Sequence, residues 1–129
     1  MNFQATALYA SILTVMVIVL ANVVSAKRGK AGISILHGDN LDLALWMRRH
    51  GNLIENVPLA LLLMALCEAR GLAPFWLNTM GITLVLARLL HVAGLDPTNA
   101  KSPLRIAGGA GTQLSMLGAV GYLIWSLSF

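Results

Sequence analysis

One stretch of the chain reads Arg48-Arg49-His50-Gly51-Asn52-Leu53-Ile54-Glu55, and its polar side chains recur at i, i+4 and i+7. At 100° per residue a helix brings Arg48, Asn52 and Glu55 within about 60° of one another, so they form one polar stripe. Glu55 lies about one and a half turns into apolar sequence, where an ionisable group costs at least ~2.5 kcal/mol unless it has a partner or faces a bundle interior. An internal Arg48 to Glu55 ion pair would satisfy that requirement, and so would a bound ligand.

Two further groups carry chemistry. Arg88 and His91 stand one helical turn apart in a later apolar stretch. Ser102-Pro103-Leu104-Arg105 opens the last one: serine is a favoured N-cap and proline a favoured first helical residue, so Arg105 falls in the first turn. There the unpaired backbone N-H groups and the helix dipole already favour an anion. If the helices alternate in direction, Arg48, Asn52, Glu55, Arg88, His91 and Arg105 meet in one layer. Three arginines against one buried carboxylate leave excess positive charge, which calls for an anionic ligand with an amino group for Glu55 to hold. The plainer alternative is a set of interfacial arginines snorkelling to lipid phosphates.

The elements that must position these residues follow from composition. Of 129 residues 57% are hydrophobic and 11% are charged, and the mean hydropathy is +0.76. Soluble domains carry roughly 25% charged residues. The apolar residues fall into four blocks, each near the ~20 needed to cross hydrocarbon. The expected fold is therefore an all-α integral membrane protein, a bundle of four transmembrane helices in one domain over 1–129. The helices should span about 3–26, 41–70, 73–95 and 102–126. The net charge of +4 could suggest nucleic acid, but seven of the nine basic residues lie close to just two connections. Lys27, Arg28, Lys30, Arg48, Arg49, Lys101 and Arg105 flank connections 1-2 and 3-4, which marks those connections as cytoplasmic and both termini as lying on the opposite side. Val24-Ser25-Ala26 could pass for a signal-peptidase site, but no basic residue precedes it and the apolar stretch is longer than a signal core, so a permanent helix is expected.

With these residues in place, the sequence resembles the MAPEG family, the membrane-associated proteins in eicosanoid and glutathione metabolism, which includes microsomal glutathione transferase. The resemblance rests on R-x-H-x-N-x-x-E, present as Arg48, His50, Asn52 and Glu55 and followed by Pro58. It rests also on R-x-x-H, present as Arg88 and His91, and on the Pro-x-Arg start of the last helix, Pro103 and Arg105. It implies a homotrimer of four-helix subunits, multi-pass in a bacterial inner membrane, that binds glutathione between adjacent subunits. It further implies that the second-helix arginine, asparagine and glutamate hold the tripeptide, with His50, Arg88 and His91 beside them, while Arg105 acts catalytically by stabilising the thiolate. The expected activity is that of a membrane-bound glutathione S-transferase, or a peroxidase, acting on hydrophobic electrophiles in detoxification. Glutathione's two carboxylates and one ammonium suit several arginines and one glutamate, and a thiol beside Arg105 at a helix N-terminus should ionise more readily.

The sequence departs from the better-characterised relatives at Leu95, where several have a tyrosine, and at Ile106, where the prostaglandin enzyme has a serine. Those departures weigh against isomerase chemistry on an endoperoxide. Two other classes stay open. A silent membrane scaffold would keep the fold without binding glutathione. A small proton-coupled multidrug transporter would need a carboxylate in its first helix, and none occurs before Lys27.

The remaining features suggest structure. Pro58 should kink the second helix; Ala107, Gly111 and Ser115 suggest a small-residue packing face on the last helix; Trp46, Trp76 and Trp125 suggest interfacial anchors. Cys67, the single cysteine, rules out an intramolecular disulfide. His37, His50 and His91 lack metal-ligand spacing, so no metal and no nucleic acid is expected.

Overall fold

The computed structural model describes residues 3–99 and 101–128. Within them the chain forms four helices: α1 (Gln4–Ala31), α2 (Leu41–Ala69), α3 (Pro74–Gly94) and α4 (Pro103–Ser128). Short connections make successive helices antiparallel, and contacts at both ends fix that arrangement. At one end Lys27 pairs with Asp42, and Arg49 donates to the Leu95 carbonyl at 3.0 Å. At the other, Arg70 donates to the Ser126 carbonyl while the Tyr122 hydroxyl donates back to the Arg70 carbonyl at 3.0 Å.

Each helix boundary has a local cause. The α1 helix runs past Ala26 to Ala31, because Arg28 and Lys30 are good helix formers and favour the negative end of the helix dipole. It stops at Gly32, whose φ of 66° is open to a residue without a Cβ. Asn40 caps α2 by accepting from the Leu43 N-H, with Asp42 in the first turn. α3 opens on Pro74 at its first position. The α2 helix continues through Pro58 over its full length.

The start of α1 has no cap of its own: Phe3 offers no side-chain hydrogen bond. The carboxylate of Glu68, near the end of α2, supplies one. It accepts from the Ala5 N-H at 3.0 Å, the Thr6 N-H at 2.9 Å and the Thr6 hydroxyl at 2.7 Å. An anion at unpaired N-H groups of a helix N-terminus is favoured by both hydrogen bonding and the dipole.

Three of the four helices, α1 to α3, are long and apolar enough to cross a membrane. The expectation that all four would be is corrected for α4. It has the length, 26 residues, but five glycines together with Thr112, Gln113 and Ser115 lower its hydropathy. Those small residues bring α4 close to α3. Gly94 lies under the start of α4, where an added Cβ would stand 2.3 Å from the Arg105 nitrogen. Gly108, Thr112, Ser115 and Ala119 form the buried face of α4. Of the expected small-residue face, Ser115 is buried and Gly111 packs against Ala87 of α3, whereas Ala107 is exposed and Gly108 takes its place.

The core has two parts. Leu13, Leu20, Leu53, Val57, Ala60 and Leu84 pack together toward the end that carries Arg48, and Tyr9, Met64, Cys67, Leu77 and Ala119 toward the other. Tyr9 lies flat against Gly81 and donates to Asn78 Oδ1 at 2.9 Å. Outside the bundle, Asp96 in connection 3-4 accepts from the Thr98 hydroxyl at 2.6 Å and the Thr98 N-H at 2.7 Å. Those bonds, the hydroxyl first, hold its carboxyl below the usual range.

Candidate functional site

The polar stripe of α2 forms, and its ends meet. Arg48 grips Glu55 with both guanidinium nitrogens, Nη1 to Oε1 at 2.8 Å and Nη2 to Oε2 at 3.2 Å. Two turns of helix separate the residues, and the pair passes over Gly51, where an added Cβ would stand 3.8 Å from Glu55 Oε1 and 3.9 Å from Arg48 Nη1. The two side chains are 55% and 54% exposed. The expected buried carboxylate is thus corrected: Glu55 lies on the outer face of the bundle, because 100° per residue carries it round with Arg48 rather than inward.

Asn52, between them, points the other way along the stripe. Its Oδ1 accepts from Arg88 Nη1 at 2.8 Å, and Arg88 Nη2 donates to the Gly108 carbonyl at 3.2 Å. Arg88 is 2% exposed and bridges α2, α3 and α4. Among the described residues the ion pairs are Lys27 with Asp42 and Arg48 with Glu55, so no carboxylate lies within 4.0 Å of Arg88. Its Nε is also buried without a hydrogen-bond partner.

His91 is 8% exposed. It stands one turn from Arg88 on α3, and its backbone packs against Gly108 of α4. Arg105 is the third residue of α4 and half-buried, and its backbone nitrogen lies against Gly94 at the end of α3. His50 is half-buried on the flank of α2, with no hydrogen bond to the other layer residues. Leu95 is buried and ends α3, while Ile106 is exposed on α4.

Arg49 belongs to this layer although sequence reasoning did not single it out. One residue on from Arg48, it points about 100° away, toward α3. Its guanidinium stacks over Trp46 at 4.6 Å and donates to the Leu95 carbonyl. Trp46 is consequently a platform for cations as well as an end-of-helix aromatic, whereas Trp76 and Trp125 are exposed at the opposite end.

Below the layer a groove of about 550 Å³ runs between α2 and α4, lined by Leu59, Leu63, Gln113, Met116, Leu117 and Val120. Leu59 follows Glu55 by one turn, and Met116 is within about 20° of Arg105 around α4. The groove therefore lies on the same sides of α2 and α4 as Glu55 and Arg105, one turn from Glu55 and about three turns from Arg105. The arrangement can hold an anionic head in the layer and an apolar body in the groove. Among the described residues no cluster of three or more His, Cys, Asp or Glu side chains forms a metal cage.

Comparison with known proteins agrees with this architecture. The MAPEG family model matches residues 6–125. The chain is 27% identical over 130 residues to Inner membrane protein YecN of Escherichia coli strain K12, covering 98% of each chain. The same identity and coverage hold for Inner membrane protein YecN of Escherichia coli O6:H1 strain CFT073. No solved structure matches the chain.

Proposed function

The chain belongs to the MAPEG family, and from that premise we propose that it binds glutathione in the layer of Arg48, Asn52, Glu55, Arg88, His91 and Arg105 and activates its thiol. One observation carries the reading. Arg88, 2% exposed, has no carboxylate within 4.0 Å among the described residues, and the one carboxylate on the α2 stripe, Glu55, is half-exposed and held by Arg48.

Arg48 and Glu55 neutralise each other. An α-amino-acid head, with carboxylate and ammonium on one carbon, exchanges that pair for two others: Arg48 to its carboxylate and Glu55 to its ammonium. Charge is conserved in the exchange, so opening the pair is not opposed by an uncompensated ion. The thiol then reaches Arg105, where the guanidinium and the N-terminal turn of α4 both favour the thiolate, and its proton passes to water at the cytoplasmic end. The thiolate sulfur attacks an electrophilic carbon held in the α2–α4 groove, and the leaving group departs with the bonding pair.

The exposed position of Arg48 and Glu55 supports a site completed by a neighbouring subunit, and with it a homotrimer. The clustering of basic residues supports a topology with connections 1-2 and 3-4 cytoplasmic. The inner-membrane name of the Escherichia coli relatives supports the same membrane for this chain.

A silent scaffold is favoured by one observation, the self-satisfied Arg48 to Glu55 pair. Calorimetric titration of the detergent-purified protein with glutathione separates the two. Saturable binding supports the glutathione reading, and no heat with a folded protein supports the scaffold.

A further inference from the structure

Arg88 cannot be a contact for a ligand arriving at the surface: it is 2% exposed and both terminal nitrogens are already committed, to Asn52 Oδ1 and to the Gly108 carbonyl. We infer that Arg88 is a positioning residue that fixes the side-chain amide of Asn52 with its NH2 group toward the site, so that position 52 accepts only a ligand atom that takes a hydrogen bond, such as a carboxylate oxygen.

The chemistry of the two groups makes the orientation one-sided. A guanidinium has only donors, so the amide nitrogen cannot face it without opposing N-H groups, and the oxygen must. The amide nitrogen of Asn52 makes no hydrogen bond to the described residues, and it is not among the buried polar atoms sealed from the surface without a partner. It is thus a donor left open at the site, half-buried between Arg48 and Glu55 on the same stripe. A free asparagine could turn either face to a ligand. Here the turned-in oxygen is held by a buried, permanently charged donor, itself anchored on α4 through Gly108. The three positions then divide their work: Glu55 takes an ammonium, Arg48 and Asn52 take carboxylate oxygens, and Arg88 takes no ligand atom.

This inference rests on the glutathione reading, and the experiment distinguishes failure of each. Asn52→Asp keeps an oxygen for Arg88 and gives that guanidinium a counter-ion, so the melting temperature should hold or rise. It replaces the outward donor with an acceptor, so glutathione affinity should fall by about tenfold or more. Affinity within twofold of wild type at unchanged melting temperature would overturn the inference and leave the glutathione reading standing. No glutathione binding by the wild-type protein would remove the reading, and the inference with it. If Asn52→Asp does not fold, a cycle of Arg88→Lys and Asn52→Ala decides. Lysine keeps the charge but cannot hold the amide oxygen and the Gly108 carbonyl together, so Arg88→Lys should weaken glutathione binding alone and add nothing in the Asn52→Ala background. Fully additive losses would show that Arg88 acts on the ligand by itself.

Discussion

Gly108 on α4 faces the backbone of His91 on α3 so closely that a Cβ at 108 would stand 2.5 Å from the His91 nitrogen and 2.6 Å from the Ala87 carbonyl oxygen. Neither neighbour is a flexible side-chain end, so Gly108→Ala must push the helices apart. Overpacking of this kind costs about 1–3 kcal/mol, and it moves the carbonyl that Arg88 holds. Gly109, one residue on, has nothing within 4 Å of its Cβ position. Gly109→Ala should therefore be neutral or stabilising by up to about 1 kcal/mol, as expected for alanine in a helix. Denaturant titration in mild detergent, run on both variants, measures the contrast.

Glu68 fastens the α1 N-terminus to the end of α2. Glu68→Gln keeps the size and one acceptor but loses the charge, and should cost about 0.5–2 kcal/mol, the range for weakening a helix cap. The loss should appear first as faster hydrogen exchange at the Ala5 and Thr6 amides, with exchange near Arg88 unchanged.

How much of this was legible beforehand follows from the range of each interaction. Hydropathy marks α1 to α3, because burying apolar surface in lipid is a property of composition over ~20 residues, and the Ser102-Pro103 start marks α4. The Arg48 to Glu55 pairing is legible because helical rotation alone brings i and i+7 together. Glu68 capping α1 is not, because its partners are 62 and 63 residues away and nothing in a lone glutamate near Arg70 names them. Likewise the sequence suggested Arg88 as a ligand contact, whereas its burial against Asn52 and Gly108 depends on how closely α3 and α4 approach. That approach is set by Gly94, Gly108 and Gly111, and the small-residue pattern found Gly111 and Ser115 but placed Ala107 where Gly108 stands.

Because Arg48 and Glu55 are half exposed and pair with each other, Glu55→Gln should change stability by less than about 1 kcal/mol. The same variant should weaken glutathione binding by on the order of 1–3 kcal/mol, the scale of one charged hydrogen-bond partner. Binding of a purely hydrophobic ligand should change little. Unchanged glutathione affinity in the folded variant would make the stripe structural.

If a neighbouring subunit completes the site, the purified protein should be a trimer. Native mass spectrometry from detergent checks this. A population of monomers alone would remove the shared site, since the exposed Arg48 and Glu55 would then have no neighbouring subunit beside them.

The central claim, that this layer activates glutathione, is tested most directly by ultraviolet difference absorbance of the bound thiolate in wild type and in Arg105→Ala. Arg105 favours the anion that forms as the thiol ionises, so its contribution grows along the reaction, whereas contacts to the tripeptide's carboxylates act before and during it alike. Wild type should show a thiolate band at neutral pH. Arg105→Ala should move the apparent pKa of the bound thiol upward and slow conjugation of a reactive aryl halide far more than it weakens binding. Bound glutathione with no thiolate band in wild type, and no conjugation, would contradict the account.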